Sequence, residues 1–262
     1  MTTTTISRPV RTPDTFAPVA AFPGISFGRL VRVEWRKATD TRAARWLLAG
    51  VAASTVGLML APLLSPSSID QTYTSYLGYA AIALSILLPV VSILTLTSEW
   101  SQRTVLTTFT QEPRRTRIVK AKIAVSLLLG ASAAVFGGLV TAAGLGVAAA
   151  SGRTLDANLN AGLLVAFVLY VLLNVMTGVA LGALVHNSAA AIVASFVLPI
   201  GFALLGRASQ VVAEWLDYTT TFTWLLNGAW SGHTPQILVS VAIWVAIPLA
   251  AGLVRTVRRE IT

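Results

Sequence analysis

Six runs of about 20 apolar residues constrain this chain more than any other feature of its sequence. They cover residues 46–64, 77–97, 123–150, 161–185, 188–206 and 236–254, and each lacks Asp, Glu, Lys and Arg. A helix of about 20 residues crosses roughly 30 Å of hydrocarbon. Only 11% of the residues are charged, whereas a soluble domain carries about 25%. The sequence therefore predicts an all-α membrane protein with six transmembrane helices.

The distribution of Lys and Arg predicts how these spans are oriented. Seventeen of the 19 basic residues lie before the first span, between the second and third spans, or after the last span. Only Arg153 and Arg207 lie elsewhere. Because positively charged flanks stay in the cytoplasm, we expect a multi-pass protein of the cell membrane with both termini cytoplasmic. The net charge of +9 then reflects topology and anionic headgroups rather than nucleic-acid binding.

The regions outside the spans divide by composition. Residues 1–25 contain four prolines and few apolar residues, which predicts a disordered cytoplasmic arm. Because residues 1–23 hold no apolar signal-peptide core, we expect the first span to be retained. Residues 46–254 form the transmembrane domain, and residues 255–262 form a basic cytoplasmic tail.

Residues 26–45 are predicted to form an interfacial amphipathic helix. Four apolar side chains share one face, and most of the basic side chains lie elsewhere. The apolar residues are Phe27, Leu30, Val31 and Trp35, and the basic residues are Arg29, Arg32, Arg36 and Lys37. Such a helix lies at the membrane surface with its cations on anionic lipid phosphates. It is either an anchor that leads into the first span or a helix that also touches a cytoplasmic partner.

Small residues recur at every fourth position of the third span, from Ser126 to Ala150, and include Gly130, Gly138 and Gly146. Small side chains at this spacing allow close approach of a second helix in lipid, so we expect a packing face, with a substrate-path surface as the alternative. Asn174, at mid-depth in the fourth span, is expected to form a hydrogen bond with another helix, with a ligand contact as the alternative.

Residues 207–235 form a long segment on the predicted outer side of the membrane, with five aromatic residues. Aromatic rings favour the headgroup layer, which predicts an amphipathic segment on the outer leaflet before the last span. An aromatic receptor site for a solute is the alternative interpretation.

Catalytic motifs are absent from the sequence. None of the three lysines belongs to a phosphate-binding loop, and no zinc-binding H-E-x-x-H or nucleophile G-x-S-x-G motif occurs. We therefore expect no enzyme activity, metal or cofactor in this chain. Because no span carries a charge, an ion-coupled carrier is also disfavoured.

Residues 98–122, between the second and third spans, carry an acidic residue in an unfavourable position. Glu99 ends the second span, where the helix dipole opposes a negative charge. Arg103, one turn later, would contribute only about 0.3 to 0.5 kcal/mol as an exposed partner. Arg36, Lys37 or the cation of a partner protein could add more.

The rest of this loop combines an apolar edge with a basic cluster. Val105, Leu106 and Phe109 can form one exposed edge, and Pro113 lies at a helix start. The basic residues that follow are Arg114, Arg115, Arg117, Lys120 and Lys122. Cations at a helix N-terminus oppose its dipole, so lipid phosphates or an acidic partner must compensate them. A solvated positive loop explains these cations but not the apolar edge.

Together these features resemble the permease subunits of bacterial ABC transporters of the type-2 exporter class. The resemblance includes the six spans and the amphipathic segment before the last one. Its specific residues are Ser98-Glu99-Trp100, Arg103-Thr104, Pro113-Arg114-Arg115, Lys120 to Lys122, and Glu34, Lys37 and Arg42 ahead of the first span.

The resemblance implies a permease that dimerises, with itself or a related chain, and binds two copies of a separate cytoplasmic ATPase that holds ATP and Mg²⁺. Residues 98–122 would be the coupling loop, in which Glu99 and Arg103 form a hinge and Val105, Leu106 and Phe109 form the contact. Pro113 would end it, with Arg114 and Arg115 following. The expected function is ATP-driven export of a hydrophobic, amphipathic or lipid-linked substrate. The alternative is a scaffold or regulator that holds a soluble partner through the same loop.

Overall fold

The computed structural model describes residues 25–101, 114–155 and 160–258, and its fold is all-α. The helices are α1 (Phe27–Asp40), α2 (Arg42–Leu64), α3 (Tyr73–Ser101), α4 (Arg115–Ala150), α5 (Ala161–Val185), α6 (Ser188–Ala208), α7 (Tyr218–Leu226), α8 (Trp230–Val241) and α9 (Ile247–Arg258). Two π-helical turns, Val212–Leu216 and Ala242–Ala246, precede α7 and join α8 to α9.

The prediction of six transmembrane helices is confirmed. Helices α2 to α6, together with the continuous α8–α9 rod, are long and apolar enough to cross a membrane. The chain is therefore a multi-pass helical membrane protein. Several helices extend beyond the apolar runs, most of all α4, which begins eight residues before the predicted span at Arg115.

Local hydrogen bonds determine where several helices begin. Thr41 separates α1 from α2, and its hydroxyl accepts a hydrogen bond from the Ala44 amide at 3.1 Å. Asn187 caps α6 in the same way through the Ala190 amide. His186 ends α5 in the left-handed conformation, with φ 55°. Because only His186 and Asn187 separate α5 from α6, these two helices are antiparallel neighbours.

Helices α3 and α5 form the centre of the bundle. In their most apolar segments 61% and 56% of the residues are buried, compared with 6% for α6 at the periphery. The core includes Tyr76, Leu84 and Leu88 from α3 and Phe167 and Val171 from α5. Displacement of either helix would therefore disturb most of the core.

Two glycines allow the backbone of α5 to come into direct contact with the backbones of α3 and α9. A Cβ atom at Gly178 would lie 2.5 Å from the Pro89 carbonyl oxygen of α3 and would also overlap Ser92. A Cβ at Gly252 of α9 would lie 2.5 Å from the Ala183 carbonyl. Since real Cβ atoms do not reach such distances, both contacts require glycine, as is common in helix packing within membranes.

The packing face of α4 differs from the predicted one. Gly130 lies against Val175 of α5, but Gly138 and Gly146 face open space, so within the chain they are not packing positions. Each step of four residues turns a helix by about 400°, so a fourfold row drifts around the axis. Ser126, Gly130 and Ala134 of the predicted row are buried, but beyond Ala134 the buried face follows Gly137, Thr141, Gly144 and Ala148.

Asn174 is buried as expected from its mid-depth position, but its amide bonds within its own helix. Its Nδ2 donates to the Tyr170 carbonyl of α5 at 2.9 Å. This hydrogen bond therefore replaces the one that we expected between helices.

The end of the bundle opposite α1 is held by polar contacts to helix termini. Arg153, after α4, donates to the Pro62 and Leu63 carbonyls at the end of α2, at 3.1 and 2.6 Å. A cation at a helix C-terminus complements the dipole. Trp244 of the second π-helical turn donates to the Leu216 carbonyl at 2.7 Å and packs against Tyr218. Part of the aromatic 207–235 segment is thus built into the bundle.

The close contact of α3 and α5 generates a stability prediction. Gly178→Ala should lower the free energy of unfolding by about 1 to 3 kcal/mol, because the added methyl group collides with the Pro89 backbone. Gly138→Ala is the matched control, since nothing faces that position, and should leave stability unchanged or raise it by up to about 1 kcal/mol through helix propensity. Unfolding in mixed detergent micelles measures both. Equal stability of the two variants would contradict the packing described.

Candidate functional site

Helix α1 is attached to the bundle by one face. Val31, Trp35 and Ala38 pack against the core, chiefly alongside α4. Its one fully buried residue is acidic, Glu34. An amphipathic helix normally buries apolar side chains. Because the Glu34 carboxylate points into the bundle instead, its buried charge requires compensating charges nearby.

Those charges come from a four-residue cluster, which we call the charge ring: Glu34 and Lys37 of α1, Glu99 of α3 and Lys122 of α4. The Lys37 ammonium lies 2.8 Å from Glu34 and 2.7 Å from Glu99. The Lys122 ammonium lies 2.7 Å from Glu34 and 3.5 Å from Glu99. Each charge in the ring therefore has two neighbours of opposite sign.

The ring is largely shielded from solvent. The side chains of Glu34 and Lys122 are 5% exposed and that of Glu99 is 10% exposed. Lys122 also donates to the Thr95 carbonyl of α3 at 3.2 Å. Two carboxylates and two ammonium groups have no net charge, which removes much of the electrostatic cost of their burial.

The ring joins the two helix ends that flank residues 102–113. Glu99 lies in the last turn of α3, and Lys122 lies in the second turn of α4. Glu34 and Lys37, one turn apart on α1, each contact a partner on another helix. Three helices are thus joined at one point by charge-assisted hydrogen bonds, which are about twice as strong as neutral ones.

Lys37 differs from the other ring members because its side chain is 44% exposed. Partial burial alone would lower its pKa, but the hydrogen bonds to Glu34 and Glu99 outweigh that effect and raise the pKa above 10.5. The ammonium form of Lys37 is therefore the form that the folded chain stabilises.

A small pocket adjoins the ring. Glu99, Lys122, His186 and Thr256 line it, and its interior has room for about one water molecule. His186 Nε2 lies 2.8 Å from the Thr256 hydroxyl, joining the end of α5 to α9. His186 is thus a buried helix cap. The pocket lies where α3, α4, α5 and α9 meet.

Sequence reasoning anticipated only part of this site. Lys37 was one of the options for compensating Glu99, and the structure places these two residues in contact. Arg36, the other option on α1, is exposed. Lys122, one of the cations for which we expected compensation by lipid or a partner, is paired with Glu34 and Glu99. The signal that could have identified Glu34 is its position as the sole acid among the apolar inward positions of a basic helix.

The remaining predicted site residues are only partly described. Arg103, Val105, Leu106, Phe109 and Pro113 lie outside the described residues. Arg114 is exposed just before α4, and Arg115 begins that helix.

The interfacial face of α1 is also attached at its start. Phe27 is exposed, Leu30 is partly buried, and Arg117 of α4 donates to the Ile25 carbonyl at 2.7 Å. This contact and the ring together hold α1 against the first turns of α4.

In the part of the chain that the structure describes, no group of three His, Cys, Asp or Glu residues could hold a metal ion. The ring holds the ends of α3 and α4 to α1.

No protein-family model matches the chain, and no curated protein is significantly similar to it.

The ring predicts strong coupling between Glu34 and Lys122. Glu34→Gln or Lys122→Met alone should each lower the free energy of unfolding by about 3 kcal/mol, because each leaves a buried charge short of a partner. The double variant should lose at least about 1 kcal/mol less than the sum of the two single losses. Unfolding in mixed micelles measures the cycle. Arg36→Gln, on the exposed face of α1, is the control, and additive losses would rule out the pairing.

The raised pKa of Lys37 predicts that the folded chain loses stability at alkaline pH. Because its pKa is raised on folding, its contribution is fully present below its ordinary pKa of 10.5 and disappears as the pH rises through the higher folded value. Between about pH 8 and about pH 12, the wild type should lose more stability than Lys37→Gln. Lys120→Gln, which removes an exposed lysine of α4, should follow the wild type. Parallel curves for the wild type and Lys37→Gln would contradict this assignment.

Proposed function

We propose that this chain is the transmembrane subunit of an ATP-driven exporter, coupled to a separate cytoplasmic ATPase through residues 98–122. The observation that supports this most directly is the charge ring, because it binds both helices that flank residues 102–113 to each other and to α1. A push on that segment would reach α3 and α4 together.

The geometry provides a path from this joint into the bundle. Helix α3 carries Glu99 at one end and contacts α5 through the Gly178 and Pro89 backbones further along. Because these two helices form the centre of the core, movement of the end of α3 would be transmitted to the middle of the bundle. A rigid joint between loop and core is what coupling to nucleotide-driven closure requires.

Several further features are consistent with the proposal. The sequence has no phosphate-binding loop, so hydrolysis of ATP is assigned to the partner, which would bind the nucleotide and Mg²⁺. The apolar composition of the spans suits a hydrophobic, amphipathic or lipid-linked substrate. A second permease copy, identical or related, would complete the transporter, and the largely exposed α6 leaves apolar surface for it. Both termini would then lie in the cytoplasm.

Co-purification tests this proposal. The tagged chain, extracted from its native membrane, should retain an ATPase, and Phe109→Asp should reduce that retention on the order of tenfold or more, because a charge would enter the apolar contact. Leu64→Asp is the matched control, since it places the same charge on an exposed leucine at the opposite end of the bundle. Its ATPase retention should equal that of the wild type.

Reconstitution separates transport from the scaffold alternative. Vesicles containing the chain and the retained ATPase should move a hydrophobic dye or a lipid analogue only when ATP is supplied. If an ATPase is retained and no such movement occurs, the scaffold interpretation is correct. If no ATPase is retained by the wild type, the coupling proposal is wrong.

A further inference from the structure

Helix α1 has a second charged face, opposite the one that enters the ring. At about 100° per residue, Arg29, Arg32 and Arg36 fall within a sector of about 60°, centred nearly 180° from Glu34. All three side chains are exposed. We call these three residues the arginine face.

The arginine face is electrostatically incomplete within the chain. Among the described residues, no carboxylate lies within ion-pairing distance of any of these three guanidinium groups. Like charges three or four residues apart on a helix repel each other. An external anion would relieve that repulsion, whereas the ring on the other face of α1 is already neutral.

The position of α1 indicates where that anion comes from. Thr41 alone separates α1 from α2, the first transmembrane helix. Trp46, in the first turns of α2, is 79% exposed, and exposed indoles at the end of a membrane span lie at headgroup depth. Val33, also exposed, lies beside the arginine face and offers an apolar contact. The arginine face thus lies at the level of the lipid phosphates.

We propose that the arginine face is a binding site for the headgroups of anionic phospholipids. The planar guanidinium fork matches phosphate oxygens, and three forks along two turns of helix can hold one or two headgroups. A lipid on this face would retain α1 at the membrane surface while Glu34 and Lys37 hold it to α3 and α4. Bound lipid would therefore support the coupling of α3 and α4 to the ATPase. This consequence rests on the proposed function.

Lipid retention measured on the full chain alone tests this site. The chain is placed in nanodiscs with equal amounts of phosphatidylglycerol and phosphatidylcholine, and native mass spectrometry counts the lipids that stay bound. The wild type should prefer phosphatidylglycerol. Each of Arg29→Gln, Arg32→Gln and Arg36→Gln should reduce that preference about fivefold, and the triple variant on the order of 100-fold. Higher salt should weaken the wild-type preference.

Two matched variants distinguish a site from general charge. Arg207→Gln removes an exposed arginine at the opposite end of the bundle and should leave the lipid preference unchanged. Replacing the three arginines together by lysine keeps the charge but removes the guanidinium forks, and should lose a clear part of the preference if the arginines form a site. If the triple glutamine variant prefers phosphatidylglycerol as the wild type does, the proposal is overturned. If that variant instead loses a co-purified ATPase, the face belongs to an acidic protein partner, which also overturns it.

Hydrogen exchange then tests whether lipid occupancy reaches α1 itself. Phosphatidylglycerol should slow amide exchange over Phe27–Asp40 in the wild type, relative to phosphatidylcholine, but not in the triple glutamine variant. Glu34→Gln should speed exchange of α1 in both lipids, because it weakens the ring and leaves the arginine face intact. Identical exchange of wild-type α1 in the two lipids would contradict the proposal. No partner is present, so either result stands independently of the ATPase proposal.

Discussion

Burial of an acidic residue on α1, just before the first membrane span, is the constraint on which this end of the structure depends. Glu34 faces into the bundle with its side chain 5% exposed, and an isolated carboxylate there would be very costly. Two lysines neutralise it, and both also contact a second carboxylate, Glu99. The cost of burying any one charge is offset only when all three helices are in place. The ring therefore specifies a joint geometry of α1, α3 and α4 as well as attaching α1.

The charge ring and the glycine contacts join helices in different ways and at different depths of the bundle. At the α1 end, the Lys37 side chain is 44% exposed, so charged groups can form the connection without the full cost of burial in hydrocarbon. Deeper in the bundle no charge is present, and adhesion depends on close backbone contact at Gly178 and Gly252. The α3 helix takes part in both types of contact. It is the element that connects the polar joint to the apolar centre.

The sequence was sufficient to predict the number and type of helices, because length and the absence of charge alone decide whether a segment can span a membrane. Contacts between helices depend on rotation about each axis, and composition constrains that rotation poorly. The prediction for α4 illustrates this: the row through Gly138 and Gly146 was visible in the sequence, but the buried face follows Gly137 and Gly144, one to two residues away. A small error in period accumulates over ten turns.

The same limitation explains why the site was found only in part. Glu99 attracted attention because a carboxylate at a helix C-terminus needs a partner. Lys122 was considered only together with the neighbouring cations, because cations beside a membrane span are expected for reasons of topology alone. A basic residue that serves topology and one that neutralises a buried acid look identical in sequence. The two kinds of residue differ only in whether a carboxylate lies opposite them in the fold. On α1, Lys37 on the inner face has such partners, whereas the arginines on the outer face have none among the described residues, so the inner face is neutral and the outer face is positive. The inner face is satisfied by the protein, so the outer face is where the environment can act on the joint.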